Sequence, residues 1–202
     1  MAAMRVDASK VHEFPDAKSF SAWLRKHAKT EKEIWIKIHK VRSGLASITP
    51  AEAIDVALCW GWIDGIRKSF DEQSFLQRYT PRGKKSVWSQ VNVANVARLI
   101  KEKKMQPAGL AEVEAAKADG RWAAAYRAKT SEPPPDLLAA IQASPKALAM
   151  YETLSAQNRF SLTFRTQAMK TEEGRAKKIA TFVAMLERGE TIHPNGKGAK
   201  RS

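Results

Sequence analysis

Between Trp60 and Asn95 the chain gathers side chains that can bind or hold charge. It reads Trp60-Gly61-Trp62-Ile63-Asp64-Gly65-Ile66-Arg67, then a short hairpin, then Thr80-Pro81-Arg82-Gly83-Lys84-Lys85-Ser86-Val87-Trp88-Ser89, with Asn92 and Asn95 beyond. Indoles supply apolar walls, arginines supply planar forks of N–H donors, and hydroxyls and amides fix orientation. The ligand-binding candidates are Trp62, Asp64, Arg67, Arg82, Ser86, Trp88, Ser89 and Asn92. Pro81 to Ser86 leads into a helix predicted to start near Ser86, where unpaired backbone N–H groups carry about half a positive charge. Ser86 can cap that helix, and Arg82 can hold a carboxylate or phosphate through two parallel hydrogen bonds. Trp88 then forms an apolar wall and Asn92 faces the same space. An anionic small molecule or peptide is the partner this predicts.

Other chemistries have less support. A nucleophile–His–acid arrangement needs a histidine near the block, and His12, His27, His39 and His193 all lie outside it in sequence. His39 alone reaches it if the strands pair. There is no phosphate-cradling glycine loop and no metal-ligand spacing, so neither cofactor nor metal is expected. Asp64 followed by Arg67 reads as an ion pair before it reads as an acid–base couple. An enzyme of unrecognised type using Asp64 is kept as an alternative, with no catalytic residue assigned. A purely structural role is the other alternative: Arg82 pairs with Asp64 or Asp71 and closes the hairpin.

Positioning this block falls to a chain of 202 residues with 44% apolar and 28% charged residues, enough for a core in one domain with a helical appendage. The net charge of +14 favours polyanions. A nucleic-acid binder is therefore the second reading, with the Phe75–Thr80 hairpin and its basic loop as a wing and tryptophans stacking on bases. The basic residues are spread along the chain, apart from Lys101 to Lys104 and the tail, which weakens that reading. Cys59 is the single cysteine and sits on an apolar helix face, as a buried structural thiol would. No run approaches membrane-spanning length, and Met1 to Lys10 lacks an apolar leader, so a cytoplasmic protein is expected.

Local signals give the elements. Asp16 caps a helix carrying Phe20, Trp23 and Leu24. Ile34, Ile36 and Ile38 alternate with Trp35, Lys37 and His39 as a half-buried strand. Thr49-Pro50-Ala51-Glu52 is a helix start with a capping box, and Gly61 its stop. Trp62 to Phe70 and Phe75 to Thr80 form two strands around a turn at Asp71 to Ser74. The helix from Ser86 to about Lys104 puts Trp88, Val91, Val96, Leu99 and Ile100 on one apolar arc, with Asn92 and Asn95 inside it. Beyond the stiff Pro133-Pro134-Pro135 linker only helices follow. The fold class is α+β, mostly helical, with a small antiparallel sheet of about three strands and an all-helical C-terminal module. The expected boundaries are 1–130 for the α+β domain, 135–190 for the module and 191–202 for a disordered basic tail.

Trp60-Gly61-Trp62-Ile63-Asp64-Gly65, Thr80-Pro81-Arg82, Ser86-x-Trp88-Ser89-x-x-Asn92 and Gly120-Arg121-Trp122 resemble signatures of the YdeI/OmpD-associated, or bacteriocin-protection, family. Pro135 to Gly189 resembles that family's helical module, most clearly at Lys170-Thr171-Glu172-Glu173-Gly174-Arg175-Ala176-Lys177-Lys178-Ile179. The resemblance implies a role in bacteriocin protection or envelope stress and assigns no catalytic residue.

Overall fold

Alternation along Ile34–His39 produces the expected strand, β2 (Ile34–His39). The computed structural model describes residues 5–126 and 132–195, in two units divided between Tyr126 and Arg127. In the first unit β2 is the centre of a four-stranded sheet of order β1-β2-β4-β3, formed with β1 (Val11–Glu13), β3 (Trp62–Ser69) and β4 (Ser74–Pro81). The β2–β4 and β3–β4 pairs are antiparallel, but β1 runs parallel to β2. The sheet is thus mixed and has four strands, not three antiparallel ones. A strand of three residues is too short to show alternation, and α1 (Ala17–His27) provides the crossover that a parallel pair needs.

One face of the sheet carries Ile34, Ile36, Ile38 and Tyr79 onto Phe20 and Leu24 of α1 and Ala53 and Ala57 of α2 (Pro50–Cys59). Each large side chain buried there contributes about 1.5–3 kcal/mol. The capping box forms as read: Thr49 Oγ1 accepts from Glu52 N at 3.2 Å and the Glu52 carboxylate accepts from Thr49 N at 2.9 Å. Gly61 ends α2 at φ +73°, and a Cβ there would sit 3.0 Å from the Ala108 carbonyl oxygen and 3.1 Å from Glu112 Cγ. Glycine is therefore what lets α4 (Pro107–Ala118) close over the start of β3.

A second core joins Leu58, Trp88, Val96, Leu99, Val113 and Ala116. Here α3 spans Gln90–Lys101 with Ser89 as its N-cap, so it starts four residues later than Ser86 would place it. The reason is long-range: Tyr126 N donates to Trp88 O at 3.0 Å, and Ser89 and Tyr126 form a parallel bridge that holds 88–89 extended. The apolar arc is also narrower than expected. Val96 and Leu99 are buried, while Val91 and Ile100 are 66% and 45% exposed and Asn92 and Asn95 are only half-buried.

The second unit packs α5 (Pro135–Gln142), α6 (Pro145–Glu152), α7 (Ala156–Gln167) and α8 (Glu172–Glu187) around Leu137, Ile141, Leu162, Ile179, Phe182 and Leu186. Asn158 on α7 is buried and straps down the chain beyond α8. Its amide donates to His193 O at 2.9 Å and Asn195 Oδ1 at 2.8 Å, and its carbonyl accepts from His193 N at 2.9 Å. Residues 191–195 of the expected disordered tail are thus hydrogen-bonded in place, and 196–202 lie outside the described residues. Among the described residues no helix is long and apolar enough to cross a membrane.

Candidate functional site

Three segments far apart in sequence come together around the β3–β4 pair: residues 61–67, 77–90 and 119–126. Arg82 N donates to Gly61 O at 2.9 Å, which ties the end of β4 to the start of β3. Arg121 Nη1 donates to Ser86 O at 3.0 Å, Gln90 N to Tyr126 O at 2.8 Å and Gln90 Nε2 to Ala125 O at 2.9 Å, which ties 119–126 to 86–90. Trp122 meets Trp88 edge-on, with ring centroids 4.8 Å apart.

On β3 the register slips between Asp64 and Arg67, which pair with Tyr79 and Gln77 respectively. In a regular strand a spacing of three puts two side chains on opposite faces. The bulge inserts one residue and returns Arg67 to the face of Asp64. Gln77, 4% exposed on the inner face of β4, fills the gap. Its amide donates to Gly65 O at 2.8 Å and its carbonyl accepts from Arg67 Nε at 2.9 Å. Arg67 also covers the Phe75 ring, its guanidinium carbon 4.2 Å from the centroid, and forms no ion pair with Asp64 among the described residues.

Arg82 is the centre of the arrangement. It is 5% exposed, its guanidinium lies 3.7 Å from the centroid of Trp88, and its Nη1 donates to Val87 O at 3.1 Å. Its Nε and Nη2 are buried without a hydrogen-bond partner among the described residues, as are Tyr79 Oη and Trp88 Nε1. A buried donor left unsatisfied costs about 1–3 kcal/mol. Arg82 pairs with neither Asp64 nor Asp71: Asp71 accepts instead from Gln73 N and Ser74 Oγ, each at 2.8 Å. Burial lowers Arg82 below the ordinary guanidinium value to about 10, with Glu112 and Asp64 opposing that shift and Arg121 adding to it. At neutral pH it remains a buried cation.

Asp64 keeps an open outer face, but crowding around its carboxyl raises it above its ordinary 3.8. A hydrogen bond from its own backbone, then Arg82, then Arg67, pull the other way. Its charge in turn helps burial to raise the phenols of Tyr79 and Tyr126. Asp64, Arg67, Arg82, Tyr79 and Tyr126 therefore act on one another's charges.

Of the residues read from the sequence, Asp64, Arg67, Arg82 and Trp88 come together. Trp62 is 1% exposed and belongs to the first core, edge-on to Trp23 at 6.2 Å. Ser86 closes a tight turn, its Oγ accepting from Gly83 N at 3.1 Å. Ser89 and Asn92 are a capping pair, Ser89 Oγ accepting from Asn92 N at 3.2 Å. With Gln90 N given to Tyr126 O and Val93 N to Ser89 O at 3.0 Å, three of the four first-turn amides of α3 are already hydrogen-bonded, which reduces the expected anion cradle to Val91 N. Nor can Trp62 or Trp88, both buried, stack on bases as a nucleic-acid platform would require. His39 sits on the opposite sheet face, its Nε2 3.5 Å from Glu13.

Sequence reasoning missed Gln77, Tyr79, Glu112, Arg121 and Tyr126. For Gln77 a signal exists: it is a polar residue between Phe75 and Tyr79 on the apolar face of an alternating strand. A concavity of about 800 Å³ lies elsewhere, on the helical unit between α5 and α8. Alanine, isoleucine and valine make up much of its wall, and its Arg175 and Asp136 already satisfy each other at 2.8 Å, so it offers less chemistry than Arg82. Among the described residues no group of three or more His, Cys, Asp and Glu could hold a metal ion.

Residues 12–112, half of the chain, match the family described as Domain of unknown function (DUF8412). Residues 130–189 match the family described as Bacteriocin-protection, YdeI or OmpD-Associated. The helical module thus carries the bacteriocin-protection match, whereas Asp64, Arg67, Arg82 and Trp88 all lie within the other. No curated protein and no solved structure matches the chain.

Proposed function

The chain belongs to the DUF8412 family and carries a YdeI/OmpD-associated, bacteriocin-protection module, and we propose that it acts in the cytoplasm by binding an anionic ligand at Arg82, without catalysis. One observation carries this reading: Arg82 is a buried cation whose Nε and Nη2 donors have no partner. A buried donor left unsatisfied costs about 1–3 kcal/mol, and an anion arriving from outside would occupy both empty donors. Asp64, exposed on edge strand β3, acts on the charge of Arg82 and is itself acted on by Arg67. The bacteriocin-protection association of the C-terminal module supports a role in protection that is exercised through such a bound partner.

The test is thermal unfolding of the whole chain in a panel of anions at constant ionic strength, for wild type and Arg82→Gln. An anion that raises the wild-type Tm in a concentration-dependent way and leaves folded Arg82→Gln unmoved supports the reading. No response from wild type, or an equal response from the variant, removes it. A random DNA duplex forms the control: binding that falls steeply with salt and persists in Arg82→Gln assigns the +14 charge to nucleic acid instead.

A further inference from the structure

In a guanidinium the Nε–H and one Nη2–H point the same way, side by side, and match the two oxygens of a carboxylate. Among the described residues Arg175 and Arg188 use that edge in this way. Arg175 gives its Nε and Nη2 to the two oxygens of Asp136, and Arg188 gives its Nε and Nη2 to those of Glu190 at 3.0 and 2.9 Å. On Arg82 this same edge is the one without a partner. Its remaining features are fixed: Nη1 is tied to Val87 O and one face lies on Trp88. The fork is therefore held in a set orientation before any ligand arrives.

We propose that the ligand is a carboxylate, taken through both its oxygens on the Nε/Nη2 edge of Arg82. The proposal rests on the anion-binding reading above and narrows it. Two observations favour a carboxylate over a phosphate or sulfate. The first is charge. Glu112 and Asp64 already act on Arg82 from within, and Arg121 is committed to Asp119 at 2.7 Å. A carboxylate brings one further negative charge beside these two acids, whereas a dianion brings two. The second is the donor count. The α3 amides of Gln90, Asn92 and Val93 are spent on Tyr126 and Ser89, so three of the four amides of that turn offer nothing to the further oxygens of a tetrahedral anion.

The experiment compares sodium acetate, benzoate, phosphate and sulfate, and N-acetyl-dialanine as free acid and as amide, by Tm and calorimetric titration at constant ionic strength. Wild type is set beside Arg82→Lys, which keeps the charge and loses the paired donors. Carboxylates bind wild type in preference to phosphate and sulfate, and Arg82→Lys weakens them about 10-fold or more. If the peptide acid binds more tightly than acetate and its amide is silent, the carboxylate is a chain terminus. If acetate or benzoate binds as well as the peptide acid, it is a small molecule. Phosphate or sulfate binding through Arg82 in preference to every carboxylate overturns this proposal and leaves the anion-binding reading standing. Silence from every anion overturns both. The wild-type ranking decides the class even if Arg82→Lys does not fold.

Discussion

The Arg82 guanidinium lies 3.7 Å from the centroid of the Trp88 ring, and both residues are buried, at 5% and 2% exposure. Trp88 is thus the floor on which the cation rests as well as a member of the second core. Trp88→Ala removes both roles and should cost about 3–5 kcal/mol in urea unfolding. Trp88→Phe keeps a ring under the guanidinium and much of the packing, so it should cost clearly less and retain the response to anions. Equal losses from the two substitutions would contradict a stacking role for Trp88.

Packing between α2 and α4 rests on Gly109. A Cβ there would fall 2.3 Å from the Cys59 carbonyl oxygen and 2.7 Å from that of Leu58, both backbone atoms that cannot turn aside. Glycine to alanine inside a helix ordinarily gains about 1 kcal/mol, while forcing atoms into a filled contact costs about 1–3 kcal/mol. At these separations the second effect wins. Gly109→Ala should lower stability by about 1–2 kcal/mol in chemical denaturation, and a stabilised variant would show that α4 does not cross α2 this closely.

In the helical unit, Asp136 is held by Arg175 well below its ordinary 3.8, at about 2. A carboxyl depressed in the folded state adds stability that is present above the unfolded value and lost as pH falls through the folded one. The stability difference between wild type and Asp136→Asn should therefore be constant above pH 4 and vanish between about pH 4 and 2. Thermal unfolding of both proteins across that range measures it. A difference that survives at pH 2 would mean that Asp136 contributes through packing and not through its charge.

What could be read from the sequence was local. Thr49-Pro50-Ala51-Glu52 contains its whole capping box within four residues, and the Ile34–His39 alternation is complete in itself. The start of α3 was not legible, because Ser86 and Ser89 are equally good caps and Tyr126, far along the chain, decides between them. Asp64 and Arg67 were recognisable as residue types. Their common face depends on a bulge that no spacing rule announces, and their expected ion pair gives way to Gln77. Arg82 between Pro81 and Gly83 reads as exposed loop, and only the return of 119–126 over residues 86–90 shows why it is buried.

The central claim is that Arg82 holds an unfilled pair of donors for an anion. The Nε–H resonance of Arg82 in the ¹⁵N-labelled full chain reports on it directly, assigned by its disappearance in Arg82→Lys. On addition of acetate this resonance should move downfield and its exchange with water should slow, while those of Arg175 and Arg188, already bonded to Asp136 and Glu190, stay where they are. An Arg82 resonance that is unchanged by acetate, phosphate and sulfate alike would contradict the account.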